Sequence, residues 1–128
     1  MLPREFSVIL IDESEVIGSR LNSMFAGLSG YRLAAHAHTI SEGYLLCKKF
    51  NPDVVLLDSW LPDGTGMSML KELKEKFPSQ KIIILSNSGN QYYKEKCLEL
   101  GADWVMDKST ELPELVEIFS NLTGKTER

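Results

Sequence analysis

The sequence predicts one α/β domain, a doubly wound five-stranded parallel sheet with helices on both faces. Three observations predict it. Apolar runs of strand length alternate with amphipathic stretches of helix length five times along 128 residues. Two of those runs, Val54–Leu57 and Ile82–Leu85, are apolar without a break, as strands are when both faces of a sheet are covered. The connections are short, and alternation with short connections gives parallel strands joined by right-handed crossovers.

Phe6–Ile11 is the first strand, and Ser14 is placed to cap the helix after it. Ile17, Leu21, Met24 and Leu28 recur on one face of that helix, and Gly27, Ser29 and Gly30 stop it. Tyr31–Ala37 is a second strand, less apolar and therefore assigned to a sheet edge. Thr39 or Ser41 opens the second helix, with Ile40, Tyr44, Cys47 and Phe50 inward, and Asn51-Pro52 closes it. Val54–Asp58 is the third strand. Gly64-Thr65-Gly66 then leads into a helix whose apolar face is Met69, Leu70, Leu73 and Phe77. Lys81–Leu85 is the fourth strand and ends at Ser86. After a loop over 87–90, the next helix turns Tyr93, Cys97 and Leu100 inward and stops at Gly101. Asp103–Met106 is the fifth strand, with Asp107-Lys108 at its end. Ser109 or Thr110 is expected to cap the last helix, with Pro113 in its first turn, where a missing N–H costs little. Leu112, Leu115, Val116, Phe119 and Leu122 form its apolar face. The domain is expected to span 1–123, with 124–128 a polar tail.

Composition narrows the function. The formal charge is −4, from 14 Lys and Arg against 18 Asp and Glu. No basic stripe stands out to neutralise phosphates, so direct nucleic-acid binding is not expected. No stretch approaches the roughly 20 apolar residues of a membrane span. The start of the chain lacks the pattern of a signal peptide. A cytoplasmic protein follows as the expectation, with Cys47 and Cys97 as buried thiols.

The chemistry gathers where the strands end. Open parallel sheets bind ligands outside the carboxyl ends of their strands. There the first strand delivers Asp12 and Glu13, the third Asp58, the fourth Ser86 and the fifth Lys108. Crowded carboxylates call for a cation, and an all-oxygen, highly charged set suits a hard ion such as Mg²⁺. Lys108 can pair with Asp58 at rest and with a phosphoryl oxygen afterwards. A carboxylate can act as a phosphoryl nucleophile, and the catalysis is mostly positioning and charge neutralisation.

With those residues in place, the chain resembles the receiver domain of bacterial two-component response regulators, of the single-domain, chemotaxis-regulator-like kind. The resemblance runs from Phe6 to about Leu122. It rests on Asp12-Glu13, on Asp58 followed by Leu61-Pro62 and Gly66, on Ser86, on Gly101-Ala102-Asp103 and on Lys108. It implies a flavodoxin-like sheet of order 2-1-3-4-5. It implies that Asp58 accepts a phosphoryl group from a sensor histidine kinase or phosphotransfer protein. Asp12, Glu13, Asp58 and the backbone carbonyl of Trp60 would hold Mg²⁺. Ser86 and Lys108 would bind the phosphoryl group and report it, through the face of the fourth helix, fifth strand and fifth helix, to a downstream protein target. A homodimer is compatible with this reading. The chain would be a phosphoacceptor that assists its own phosphoryl transfer and dephosphorylation, and not otherwise an enzyme.

Four positions depart from the family pattern. Glu13 stands where a second aspartate is usual, which predicts weaker Mg²⁺ binding. Asn87 follows Ser86 where alanine or glycine is common. Val105 stands where many members carry an aromatic residue, and Trp104 lies one residue earlier, hence on the opposite face. Ser109 replaces the proline that commonly follows the lysine, where the family's peptide bond is usually cis. Glu13, Asn87 and Val105 support an alternative: a degenerate receiver serving as a phosphorylation-independent binding or dimerisation module. Two enzyme readings fail on residues. A dehalogenase-type phosphatase needs an aspartate where Trp60 stands, and a flavodoxin needs a hydroxyl-rich phosphate loop where Asp12-Glu13-Ser14 stands. His36 and His38, two apart on one strand, share a face; with no third ligand evident, they read as surface histidines. Trp60 either covers the acidic rim or packs on its own loop. Tyr92 and Trp104 are candidates for a docking patch.

Overall fold

A computed structural model describes residues 5–87 and 90–123. The predicted polar tail lies outside the described residues, as does part of the loop over 87–90. The long strands are β1 (Phe6–Ile11), β2 (Tyr31–Ala37), β3 (Val54–Asp58), β6 (Lys81–Ser86) and β7 (Trp104–Asp107). They form one parallel sheet in the order β2-β1-β3-β6-β7. That is the expected 2-1-3-4-5, with the less apolar second strand at an edge. The numbering shifts because a small antiparallel pair, β4 (Trp60–Leu61) and β5 (Gly64–Thr65), follows β3. Two-residue strands are too short to leave a periodicity in the sequence.

The helices are α1 (Glu15–Ala26), α2 (Ile40–Phe50), α3 (Gly66–Lys76), α4 (Gln91–Glu99) and α5 (Leu115–Thr123). Ser14 and Thr39 cap α1 and α2 by accepting from the Ile17 and Glu42 N–H groups, each satisfying a donor the helix cannot. The sheet divides the core in two. On one face Leu10, Leu56 and Leu85 pack with Ile17, Leu21 and Phe25 of α1 and Phe119 of α5. On the other, Ile9, Leu57 and Ile84 pack with Cys47 of α2, Leu70 and Leu73 of α3 and Cys97 of α4. Each such side chain contributes about 1.5–3 kcal/mol through burial. Both cysteines are free and buried, and burial pushes the Cys47 thiol up to about 12.

Two local expectations are corrected, and Phe25 joins Met24 and Leu28 in packing against the core from α1. Phe50 is exposed at the end of α2, beside the Lys49 ammonium. The last helix does not begin at Ser109 or Thr110. A turn and a 3-10 helix, Leu112–Glu114, precede α5. Asp107 takes both the N–H and the hydroxyl of Ser109, at 2.9 and 2.6 Å. Glu111 accepts from the Asp107 N–H at 2.7 Å. The hydroxyl expected to cap the helix is thus used to shape the turn after Lys108.

The β1–β2 ladder carries one irregularity. Val8 pairs with Leu33 and Ile9 with Ala35, so Ala34 is skipped. Such a bulge reverses the facing of every residue after it. Leu33 packs with the α1 side of the core, while Ala35 and Ala37 pack with the α2 side.

Candidate functional site

The carboxyl ends of β1, β3 and β7 bring three buried charges together. Asp12, Asp58 and Lys108 are 1%, 5% and 7% exposed. The Lys108 Nζ donates to Asp12 Oδ2 at 2.9 Å and lies 3.1 Å from Asp58 Oδ1. Asp12 Oδ1 accepts from the Ser14 N–H at 2.8 Å, so α1 enters the site through its cap. The Lys108 N–H donates to the Ser86 carbonyl at 2.8 Å, which fixes β7 against β6 where the lysine turns inward.

Two carboxylates share one ammonium, and the balance shows at Asp58 and Lys108. Burial, then the Asp12 carboxylate, raise the Asp58 carboxyl above the ordinary aspartate range. Lys108 and the Trp60 N–H oppose this without cancelling it. For Lys108, burial works to lower the pKa, but hydrogen bonds and charge from Asp12 and Asp58 outweigh it. The ammonium is therefore held charged above its ordinary value.

The other expected residues are placed unequally. Ser86 is buried at the end of β6, across the ladder from Asp107. Glu13 is exposed and is not gathered with Asp12 and Asp58 into a tight three-ligand cluster. Trp60 gives its N–H to the Asp58 carboxylate, and its side chain stands 73% exposed. Val105 is buried and Trp104 is 40% exposed on the opposite face, with the Lys94 ammonium 5.9 Å from its ring centroid. No cis peptide bond occurs among the described residues, so Lys108–Ser109 is trans.

Two further residues support the site: Gly66, which the sequence motif contains without showing its contact, and Asp63, which the sequence did not single out. Gly66 starts α3 directly against β3: a Cβ there would stand 2.2 Å from the Asp58 carbonyl oxygen. Asp63, in the turn between β4 and β5, accepts from the N–H groups of Ile40 and Ser41 at 2.8 and 3.1 Å. It also accepts the Ser41 hydroxyl at 3.1 Å.

The donor set fits a hard divalent cation. Asp12 and Asp58 offer only oxygen, and one ammonium does not offset the strain that raises Asp58.

Fold and site together define a doubly wound domain with an aspartate–lysine cluster at its carboxyl rim. The response regulator receiver domain family matches residues 8–120, and the chain belongs to that family. Receiver domains serve phosphorylation-dependent signalling in two-component systems and typically bind Mg²⁺. The chemotaxis protein CheY of Halobacterium salinarum is 25% identical over 115 residues, covering 90% of this chain and 94% of that protein. An uncharacterised transcriptional regulatory protein of Bacillus subtilis, YhcZ, is 28% identical over 110 residues, covering 86% of this chain and 51% of that one. The chain spans about half the length of most curated relatives it matches. Among structures, the isolated receiver domain of RcsB from Salmonella enterica serovar Typhimurium superposes with a TM-score of 0.88 at 18% identity, covering 98% of this chain and 93% of that one. CheY in the CheX–CheY–BeF3–Mg complex of Borrelia burgdorferi gives 0.86 at 22%, covering 95% and 92%. These structures establish the fold. Among the described residues, no helix is long and apolar enough to cross a membrane.

Proposed function

We propose that the chain is a switch in which Asp58 accepts a phosphoryl group from a sensor histidine kinase or phosphotransfer protein. The observation that carries the reading is the Lys108 ammonium, buried and shared between Asp12 and Asp58. A cation held between two carboxylates at rest can move toward a new anion with little reorganisation. An Asp58 oxygen attacks phosphorus, a P–O bond forms, and the P–N bond to the donor imidazole breaks. The imidazole leaves with the electron pair and takes a proton. Lys108 then follows the charge from the carboxylates to a phosphoryl oxygen. Ser86, at the end of the neighbouring strand, donates its hydroxyl to another. Asp12, Asp58 and the Trp60 carbonyl, with Glu13 from the rim, would hold Mg²⁺, which supplies positive charge to phosphoryl oxygens.

The output is proposed to be a protein target docking on α4, β7 and α5, where Trp104 is half-exposed and Tyr92 stands out from α4. The acidic balance of the chain argues against nucleic acid at this domain. Some relatives are transcriptional regulators, and one, of Bdellovibrio bacteriovorus, is a protein-glutamate methylesterase/protein-glutamine glutaminase. The test is intact mass after incubation with a small acyl phosphate and Mg²⁺. One phosphoryl adduct is expected on the wild type, and none on Asp58→Asn or in chelator. An unmodified wild type would overturn the switch and leave the phosphorylation-independent binding module.

A further inference from the structure

We propose that Glu15, His36 and His38 form a second metal site, selective for a borderline transition-metal dication such as Zn²⁺ and separate from the acidic rim. One nitrogen from each imidazole and one Glu15 oxygen lie within 4.8 Å of one another. Ligands around tetrahedral zinc stand about 3.3 Å apart, as bonds of roughly 2.0–2.1 Å require. Side-chain rotations that shorten the longest of these separations by up to about 1.5 Å would close the set.

Three features of the fold assemble it. The bulge at Ala34 turns His36 toward α1 rather than α2. Gly18 then lets the ring approach: a Cβ at that position would lie 2.7 Å from His36 Cε1 and Nδ1. Glu15 stands one turn earlier on α1, and the rings of His36 and His38 stack with centroids 4.1 Å apart. An ion pair between His38 Nε2 and Glu15 Oε1, at 2.5 Å, engages His38, and a bond to the Asp12 carbonyl engages His36 Nε2. Neither uses His36 Nδ1, which the glycine-lined slot brings against α1.

The second nitrogen of each ring is oriented as metal-bound histidines require. His36 Nε2 lies 2.7 Å from the Asp12 carbonyl and so donates to it, which leaves the lone pair on Nδ1. His38 Nδ1 lies 3.5 Å from Glu42 Oε1, while its Nε2 faces Glu15. Backbone carbonyl and carboxylate are the usual outer partners of metal-bound imidazoles. Two imidazoles and a carboxylate suit zinc, copper or nickel, whereas Mg²⁺ prefers oxygen alone. The chemistry therefore separates this cluster from Asp12 and Asp58.

The test uses the full chain, stripped by chelator and held in millimolar Mg²⁺ to compete at the acidic rim. Zn²⁺ is titrated by calorimetry, and Co²⁺ by its visible d–d absorption. One equivalent is expected to bind, with the Co²⁺ band displaced by Zn²⁺. His38→Gln and Glu15→Gln, both at accessible positions, are each expected to weaken binding at least tenfold. Asp58→Asn is expected to leave the titration unchanged. Wild-type titrations in both His38→Gln and Glu15→Gln would overturn the proposal. So would loss of binding in Asp58→Asn, which would place the metal in the acidic rim, or the absence of saturable Zn²⁺ binding to the wild type.

Discussion

Among the described residues, lysine meets aspartate in partly or fully buried contacts at both ends of the sheet, and the two arrangements are built on opposite principles. At the amino end, Lys74 Nζ meets Asp103 Oδ2 at 2.8 Å and the Gln80 carbonyl at 3.1 Å. The same Asp103 oxygen accepts from the Ile82 N–H at 2.8 Å. One cation faces one anion, and the backbone satisfies what remains. At the carboxyl end, Lys108 serves two carboxylates and Asp58 is held above its ordinary range. A balanced pair holds strands in place. An unbalanced cluster stores a readiness to accept positive charge or to give up an anion. The difference distinguishes a fastening from the proposed acceptor site without appeal to any relative.

The comparison is most exposed to Lys108→Ala. That change leaves Asp12 and Asp58 facing each other without a cation, and should abolish the phosphoryl adduct. It should also cost about 3 kcal/mol near neutral pH, read from urea denaturation. At the other end, Lys74→Met should cost about 1–2 kcal/mol and leave the adduct yield as in the wild type. An adduct lost with Lys74 would erase the distinction between the two ends.

Mg²⁺ should sharpen the contrast. At ten times its dissociation constant it should stabilise the wild type by about 1.4 kcal/mol, seen as a rise in Tm. Asp103→Asn should retain that response and Asp58→Asn should lose most of it.

The smallest expected effect is a difference of sign. Asp58→Asn should raise stability at neutral pH by about 1 kcal/mol, whereas Asp103→Asn should lower it by about as much. The pH dependence follows from the raised Asp58 pKa. In the folded state its carboxyl resists ionising, so the penalty is absent below the ordinary value of 3.8. It grows as pH rises from that value to the higher folded-state value and is constant above. The advantage of asparagine should therefore be absent below the ordinary value, develop between the two and persist at neutral pH, in thermal melts across pH.

The ends of strands were the most readable parts of the chain. Asp12, Asp58 and Lys108 stand at the stop of an apolar run, and parallel topology puts all such stops on one rim. What a strand end does not reveal is which partner a side chain selects. Lys108 was assigned to Asp58, yet it also bonds Asp12 across 96 residues of sequence. The third member beside His36 and His38 was invisible for the same reason. Glu15 reaches them from α1, and the bulge that faces them toward it comes from strand pairing, not from the strand's own pattern. The entry to α5 was misread because Ser109 and Thr110 look like caps. Asp107 competes for the same hydroxyl, a local hydrogen bond that propensity does not rank.

The three bonds from Asp63 to the start of α2 have a mechanical consequence. The turn between β4 and β5, which carries Trp60 beside the acidic rim, is also the end-stop of a helix. An outward swing of that lip breaks these bonds to the first turn of α2. The two are expected to open together, and their amide protons should then exchange with solvent together. On the proposed switch reading, this lip is the better-fastened side of the rim, and a displacement that followed a charge on Asp58 would fall on the side of β6 and β7.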